Sequence, residues 1–400
     1  MKLQLVATCL FGLEHLLGEE IDALGYERIA TMDGRVTFAG DEEAIALANV
    51  FLRYAERIYV KLGSFSAETF DELFEGTRAL PWSSFIGRRD AFPVKGHAIK
   101  SRLSSVPDCQ SIIKKAVVTS MSQVYGLSVF PEDGTKYQIE FFLFRDEATL
   151  MIDTSGTPLH KRGYRRESNG APLRETLAAA VAATARPRRD VLLWDPMCGS
   201  GTIAIEAAMQ LACIAPGKRR PFAAEAFPWV GKTRFDRARE EAIEGECTEP
   251  FDVYASDVDP ACVAITIQNA QLAGVNRYLR VMKQDCRTIS APGRRGTVVT
   301  NPPYGERLST PEQVERLYRD LGVHFRSLAP WQIYVLTSHE NFAGLYGRCA
   351  DRARKVYNGM IPCYLYQFFK PAAARQTPAR QQHKKGNEHH GKEFSNKRRY

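Results

Sequence analysis

Hydrophobic and polar positions alternate with two periods along this chain, and the period switches every ten or so residues. LQLVATCL near the start has the two-residue alternation of a strand, Leu13 to Leu24 the spacing of an amphipathic helix, and RVTFAG that of a second strand. Asp41 to Phe51 reads as a second helix, opened by an acidic first turn. The same mixture continues from Arg57 to Asp153. It predicts a strand in IYVKLGSF, a helix around Phe70 to Leu80, a strand in AFPVKGHAIKS, a helix from about Asp108 to Tyr125, and strands in YQIEFFLFRD and EATLMIDTS. No strand end in this half carries a glycine loop, which favours a binding module over a catalytic one.

The pattern changes after residue 172. Leu173 to Ala185 is strongly helical, with Pro172 expected at its first position. The apolar run Val191 to Trp194 then ends in Asp195, turns through Cys198-Gly199-Ser200-Gly201 and re-enters a helical pattern at Ile203. Two later strands end similarly. FDVYA closes at Ser256-Asp257-Val258-Asp259, and TVVT closes at Asn301-Pro302-Pro303-Tyr304. Between them lie a helix (Ala261 to Leu272) and a strand, LRVMKQD, ending at Asp285-Cys286; a helix from about Pro311 to Leu328, the strand WQIYVLTS and a last strand around Cys363 to Phe369 follow. Strands alternating with helices predict an α/β fold with a mainly parallel sheet, whose ligands bind at the carboxyl ends of the strands. The three motif-bearing strand ends therefore face one crevice. Pro216 to Pro250 reads as a helix plus a surface excursion, without an assignable role.

Composition narrows the classes. Four hundred residues with 44% hydrophobic positions suit two or three domains. No apolar run is long enough to cross a bilayer, and the first twenty residues carry acids where a signal peptide needs an unbroken apolar stretch, so a soluble, cytoplasmic protein is expected. Nine cysteines without a Cys-x-x-Cys pair favour neither zinc nor disulfides, and no metal is expected. The net charge of +8 suggests a polyanionic partner. Residues 371–400, with eight Lys/Arg and two acids, supply +6 of it and read as a basic disordered tail. The folded body is close to neutral.

Several side chains are candidates for chemistry. Asp257, at a strand end, can accept hydrogen bonds from the two hydroxyls of a ribose, and Asp285 can face an adenine amine; either can also be a simple turn or helix cap. In Asn301-Pro302-Pro303-Tyr304 two prolines remove backbone donors and stiffen the turn, so that the Asn301 side-chain oxygen and the Pro302 carbonyl become two fixed acceptors. Such a pair suits an exocyclic amine, and Tyr304 offers a face on which an everted base can stack. Lys95, Lys100, Arg102, Lys114 and Lys115 fall on one strand and the following helix, as phosphate contacts or as an ordinary solvated face. Lys161 and Arg162 lie in a basic joint that is either a flexible linker or a positive lip beside the crevice.

DPMCGSGT, ASDVDP, KQDC and NPPYGER, in this order and spacing, closely resemble class I S-adenosylmethionine-dependent amino-methyltransferases. With LHKRGYR, APLRETLAAA and SVPDCQSIIKKAVV, the chain up to about residue 370 looks like the THUMP-domain RNA methyltransferases, more narrowly the branch that makes N2-methylguanosine in large-subunit (23S) ribosomal RNA. The resemblance implies a ferredoxin-like domain over 1–55, a THUMP RNA-binding domain over 56–158 and a Rossmann-like catalytic domain over 159–370. It implies S-adenosylmethionine as cofactor, with Asp195, Pro196, Cys198, Gly199, Ser200 and Gly201 around its methionine part, Asp257 and Val258 at its ribose, and Asp285 and Cys286 at its adenine. Asn301, Pro302, Pro303 and Tyr304 would hold the target amine, and Lys100, Arg102, Lys114, Lys115, Lys161 and Arg162 would meet RNA. The implied chemistry is direct in-line methyl transfer, with Cys198 a small residue chosen for fit and no nucleophile. A tRNA guanine methylase, a DNA amino-methyltransferase, a protein glutamine methylase and a non-catalytic RNA-binding assembly factor are the alternatives. The basic tail lies outside the family pattern.

Overall fold

A computed structural model describes residues 1–165, 173–290, 293–303 and 310–369. Pro172, Tyr304 and the basic tail lie outside the described residues. The N-terminal half runs β1 (Leu3–Cys9), α1 (Glu14–Ala23), β2 (Arg28–Met32), β3 (Arg35–Gly40), α2 (Glu42–Phe51), β4 (Ala55–Ser66), α3 (Phe70–Arg78), β5 (Val94–Ile99), α4 (Val106–Tyr125), β6 (Ile139–Phe144) and β7 (Glu147–Asp153). Its helices start where the sequence offers caps. Asp41 accepts the Ala44 N–H at 2.9 Å, and Thr69 with Glu72 forms a capping box. The strands form one sheet in the order β2-β3-β1-β4-β7-β6-β5, antiparallel except for the β5/β6 pair. The twelve-residue β4 pairs with β1 on one side and β7 on the other, so the two units expected here share one continuous sheet. The edge strand β2 has no sequence signature because every one of its residues is exposed and no alternation is required.

The C-terminal half runs α5 (Glu175–Thr184), β8 (Leu192–Asp195), α6 (Thr202–Leu211), α7 (Lys232–Glu244), β9 (Val253–Asp257), α8 (Pro260–Ala273), β10 (Leu279–Lys283), β11 (Gly296–Thr300), α9 (Pro311–Ser327), β12 (Gln332–Thr337), α10 (Phe342–Tyr346), β13 (Arg352–Asn358) and β14 (Ile361–Phe368). α5 begins at Glu175, with Arg174 as its N-cap residue. The second sheet has the order β10-β9-β8-β11-β12-β14-β13, with five parallel strands and β14 antiparallel between β12 and β13. Two apolar cores flank it. One packs Leu177, Ile205 and Ala270 against one face; the other packs Tyr318, Leu321 and Phe342 against the opposite face. The strand order reverses direction at β8/β11, which places a crevice between their carboxyl ends.

The segment between α6 and β9 is not the surface excursion its sequence suggests. Phe222, Phe227, Val230 and Phe235 are buried in the same core as Leu5 and Phe141 of the first sheet. The Phe227 ring stacks on Tyr137 with centroids 4.1 Å apart, and Arg237 on α7 reaches Glu43 on α2 at 2.9 Å. It is a strap that anchors the C-terminal half on the N-terminal sheet. Arg162 also departs from expectation. Only 4% exposed, it donates from Nη1 to the Leu159 carbonyl at 2.7 Å, bonds the Arg53 carbonyl, and lies 3.6 Å from the fully buried Glu206. A guanidinium held this way belongs to the joint and presents no cation to RNA. Glu56 ties the same joint, accepting from Thr176 at 2.5 Å and facing His160 and Arg174.

Candidate active site

The loop after β8 is shaped by its glycines and by three neighbours that hold it. Gly199 and Gly201 have φ of 54° and 80°. A Cβ on Gly201 would lie 2.6 Å from the Thr266 methyl, so α8 sits directly against the loop. Thr266 donates to the Gly199 carbonyl and Asn269 to the Ser200 carbonyl, both at 2.9 Å, and the Cys198 N–H bonds the Ser256 carbonyl at 3.0 Å. The Thr202 start of α6 leaves its first N–H groups facing the loop. Pro196 and Cys198 are buried, and burial pushes the Cys198 thiol well up, so it stays protonated.

Asp195 ends β8 with 1% exposure. Its Oδ1 accepts from the Thr300 hydroxyl at 2.8 Å and from the Met197 N–H at 3.3 Å. Burial pushes its carboxyl up to about 7, against those hydrogen bonds. The Thr300 bond joins the end of β8 to the end of β11 and so fixes the glycine loop relative to Asn301.

Asp257 closes β9 and serves the loop directly. Its Oδ2 accepts the Gly199 N–H at 2.9 Å and its Oδ1 the Asp259 N–H at 3.0 Å. Each oxygen keeps a further lone pair for a diol. Beside it Val258 is 65% exposed, an apolar side chain offered to solvent at a strand end. Asp285 is engaged differently. It caps the short helical turn Cys286–Thr288 and pairs with Arg287 at 2.6 Å, and the Arg287 hydrogen bonds hold its carboxyl down at about 2. Cys286 is buried, its thiol pushed up to about 12. Near an adenine, this turn offers backbone and a permanently ionised, already paired carboxylate.

At the end of β11 the Asn301 Oδ1 is buried and has no hydrogen-bond partner among the described residues. An acceptor left in that condition costs free energy unless a ligand supplies the donor. Pro302 is buried beside it and Pro303 half-buried. The Tyr318 hydroxyl of α9 donates to the Pro303 carbonyl at 3.1 Å and also bonds the Thr337 hydroxyl at 2.9 Å, which in turn accepts the His339 N–H at 3.1 Å. A buried chain from β12 through α9 thus holds the turn. Neither Tyr318, Thr266, Asn269 nor Thr300 is a candidate from sequence. Tyr318 sits in the apolar stripe Val314, Tyr318, Leu321, Phe325, which reads only as core.

Comparison with known proteins places the doubly wound sheet and the units before it in known families. Residues 162–367 match the model of the RMKL-like methyltransferase domain, 4–59 that of the RlmL ferredoxin-like domain and 67–153 that of the THUMP domain. The chain belongs to the RMKL-like methyltransferase family. It is 44% identical to the putative RNA methyltransferase YpsC of Bacillus subtilis (strain 168), over 92% of this chain and 96% of that protein. It is 33% identical to the ribosomal RNA large subunit methyltransferase K/L of Syntrophotalea carbinolica over 90% of its own length, and spans about half (53%) of that relative. Among solved structures, SMU.472, a putative methyltransferase complexed with SAH, superposes with a TM-score of 0.87 at 39% identity, covering 92% of this chain and 98% of that one.

In this methyltransferase the N-terminal cations are dispersed. Lys95 lies on the exposed side of β5, and Lys100, with φ 51°, just beyond it. Arg102 pairs with Glu68 at 2.5 Å, and Lys114 turns between the Phe92 ring and Glu132, also at 2.5 Å. Lys115 reaches over Phe74, and Lys161 is exposed. Lys95, His97, Arg57 and Lys136 instead line one open cavity of about 870 Å³ on the sheet face. Lys136 and Arg57 carry no sequence signal, because only the β4-β7-β6-β5 pairing brings them beside Lys95. Among the described residues no helix is long and apolar enough to cross a membrane, and no group of His, Cys, Asp and Glu could hold a metal ion.

Proposed function

We propose that this methyltransferase transfers a methyl group from S-adenosylmethionine to the exocyclic N2 of a guanosine in large-subunit ribosomal RNA. The observation that carries the reading is the buried Asn301 Oδ1, without a partner among the described residues and fixed opposite the glycine loop through the Thr300–Asp195 hydrogen bond. The residues present fit the cofactor. The loop approaches closely because Gly201 has no Cβ, Asp257 retains lone pairs for a diol, Val258 offers an apolar surface, and Asp195 offers negative charge to a cation. S-adenosylmethionine supplies an electrophilic methyl on a sulfonium.

The chain's own part is to make a poor nucleophile reactive. The lone pair of a guanine amine is delocalised into the ring. Asn301 Oδ1 and the Pro302 carbonyl accept the two amine hydrogens from fixed positions, which favours the pyramidal amine and directs its lone pair out of the ring plane. Tyr318, through the Pro303 carbonyl, keeps the turn from relaxing. With the donor bound, Asn301 and Pro302 would hold the amine nitrogen for attack on its methyl, with S-adenosylhomocysteine as leaving group and one N–H proton lost after transfer. Large-subunit ribosomal RNA is favoured by the similarity to the K/L methyltransferases and by the THUMP match, while the half-length coverage leaves the rest of those relatives' activity outside this chain.

The test is label transfer from tritiated S-adenosylmethionine to protein-free large-subunit ribosomal RNA, transfer RNA and DNA in parallel. Label is expected in the ribosomal RNA. Asn301→Ala should lose at least about a hundredfold in kcat, as when one acceptor or donor of a preorganised site is removed, with S-adenosylhomocysteine affinity unchanged by calorimetry. Full activity of Asn301→Ala, or label in DNA instead, overturns the reading.

A further inference from the structure

A large cleft of the described residues lies not at the proposed active site but at the opposite end of the same sheet. It has a volume of about 990 Å³ and opens where β11 and β12 begin, at Gly296 and Gln332, with Leu16 and Tyr54 of the N-terminal half as its far wall. Arg186, Arg188, Arg295, Arg352 and Arg354 line it, against a single carboxylate, Glu19. That carboxylate already faces His15 at 3.2 Å. Arg188 and Arg295 share the exposed Asp190 only at 3.7 and 4.0 Å, and Arg186, Arg352 and Arg354 have no ion pair among the described residues. Five guanidiniums converging on one cleft repel one another, and folding tolerates this where a polyanion is the partner.

A second observation points the same way. Gln367, the cross-strand neighbour of Arg352, forms part of the cleft wall with 4% exposure, and its side-chain amide nitrogen is buried without a hydrogen-bond partner among the described residues. The donor set is therefore five planar forks and one amide, which matches phosphate oxygens and sugar hydroxyls. Trp331 and Tyr54 are mostly buried in the wall, while Phe369 stands 39% exposed at the rim, able to take a stacked base. The cationic lining of this end selects negative charge.

We infer that this arginine cleft is a second RNA-binding site, which holds the phosphate backbone of a strand of the same RNA about 17 Å, one strand length, behind the methyl-transfer site. The inference rests on the RNA reading above and adds to it. It makes the methyltransferase domain itself an RNA clamp, in addition to the THUMP domain.

The experiment measures binding of a short fluorescein-labelled single-stranded oligoribonucleotide to the full chain by anisotropy across a salt series. The double variant R352A/R354A should weaken binding roughly tenfold and lower the slope of log affinity against log salt by about 1.4, two phosphate contacts on a single strand. S-adenosylhomocysteine affinity, read at the other end of the sheet, should stay as in the wild type and shows that the variant is folded. Gln367→Leu should weaken RNA binding without lowering Tm, since it removes an unpartnered donor. Equal salt slopes for wild type and R352A/R354A overturn the inference while the RNA reading stands. If the wild type neither binds the oligonucleotide nor methylates RNA, the RNA reading itself fails and takes the cleft with it.

Discussion

Asp195 shows how one buried carboxyl can couple stability, pH and ligand charge. Its folded pKa, about 7, lies above the ordinary 3.8, so the folded chain holds the proton more tightly than the unfolded one. Below pH 4 both states are protonated and the group has no effect on stability. As pH rises from 4 to 7 the unfolded state gains first by ionising, and above 7 the full penalty, roughly 4 kcal/mol, opposes folding. Asp195→Asn keeps an acceptor for Thr300 and should raise Tm at pH 8 but not at pH 4. The same charge serves a cationic methyl donor. Cofactor affinity of the wild type should increase between pH 6 and 8 in calorimetry, and Asp195→Asn should bind weakly with a flat profile; a pH-independent wild type would contradict this role.

The turn after β11 acts as an element because α9 and β12 hold it. Tyr318→Phe deletes the hydroxyl that joins Pro303 to Thr337. It should cost about 1 kcal/mol of stability and about tenfold in kcat, with KM and cofactor affinity little changed; an unchanged kcat would remove Tyr318 from the positioning chain. How much of this was legible follows from where each partner lies. Strand, acid and glycine turn are consecutive in Leu192 to Gly201, so local pattern exposes them, as it does Asp257 and Asn301. Tyr318 is hidden because its ring satisfies a helix stripe and its hydroxyl meets residues fifteen positions before and nineteen after. β13 shares the difficulty of β2: of its seven residues only Val356 is buried, so the hydrophobic signal is too thin to declare a strand. Arg162 misleads for the opposite reason, since a guanidinium whose partners are carbonyls from distant segments has the same sequence signature as a surface cation.

At the scale of the whole molecule, Met1–Phe369 behaves as one compact unit because the two sheets are bolted together. The strap aromatics enter a core they share with β1 and β6, and the buried Glu206 faces Arg53 and Arg162 at 3.6 Å across the joint. Phe227→Ala should cost about 3–5 kcal/mol, the range for emptying a large aromatic site. It should also raise protease sensitivity in both halves together; unfolding of the C-terminal half alone would contradict a shared core. The strap was unreadable as packing because its apolar residues have no helical or strand period and their partners belong to another sheet. This fixed arrangement is the one the proposed function needs, with RNA held on the N-terminal half and a base presented to the site on the other. The most direct measurement is nucleoside mass spectrometry of large-subunit ribosomal RNA methylated by the purified protein with deuterated S-adenosylmethionine. N2-methylguanosine carrying the label, absent with Asn301→Ala, is the predicted result. Label in a methyladenosine or methylcytidine, or in no nucleoside, would contradict the assignment of the acceptor amine.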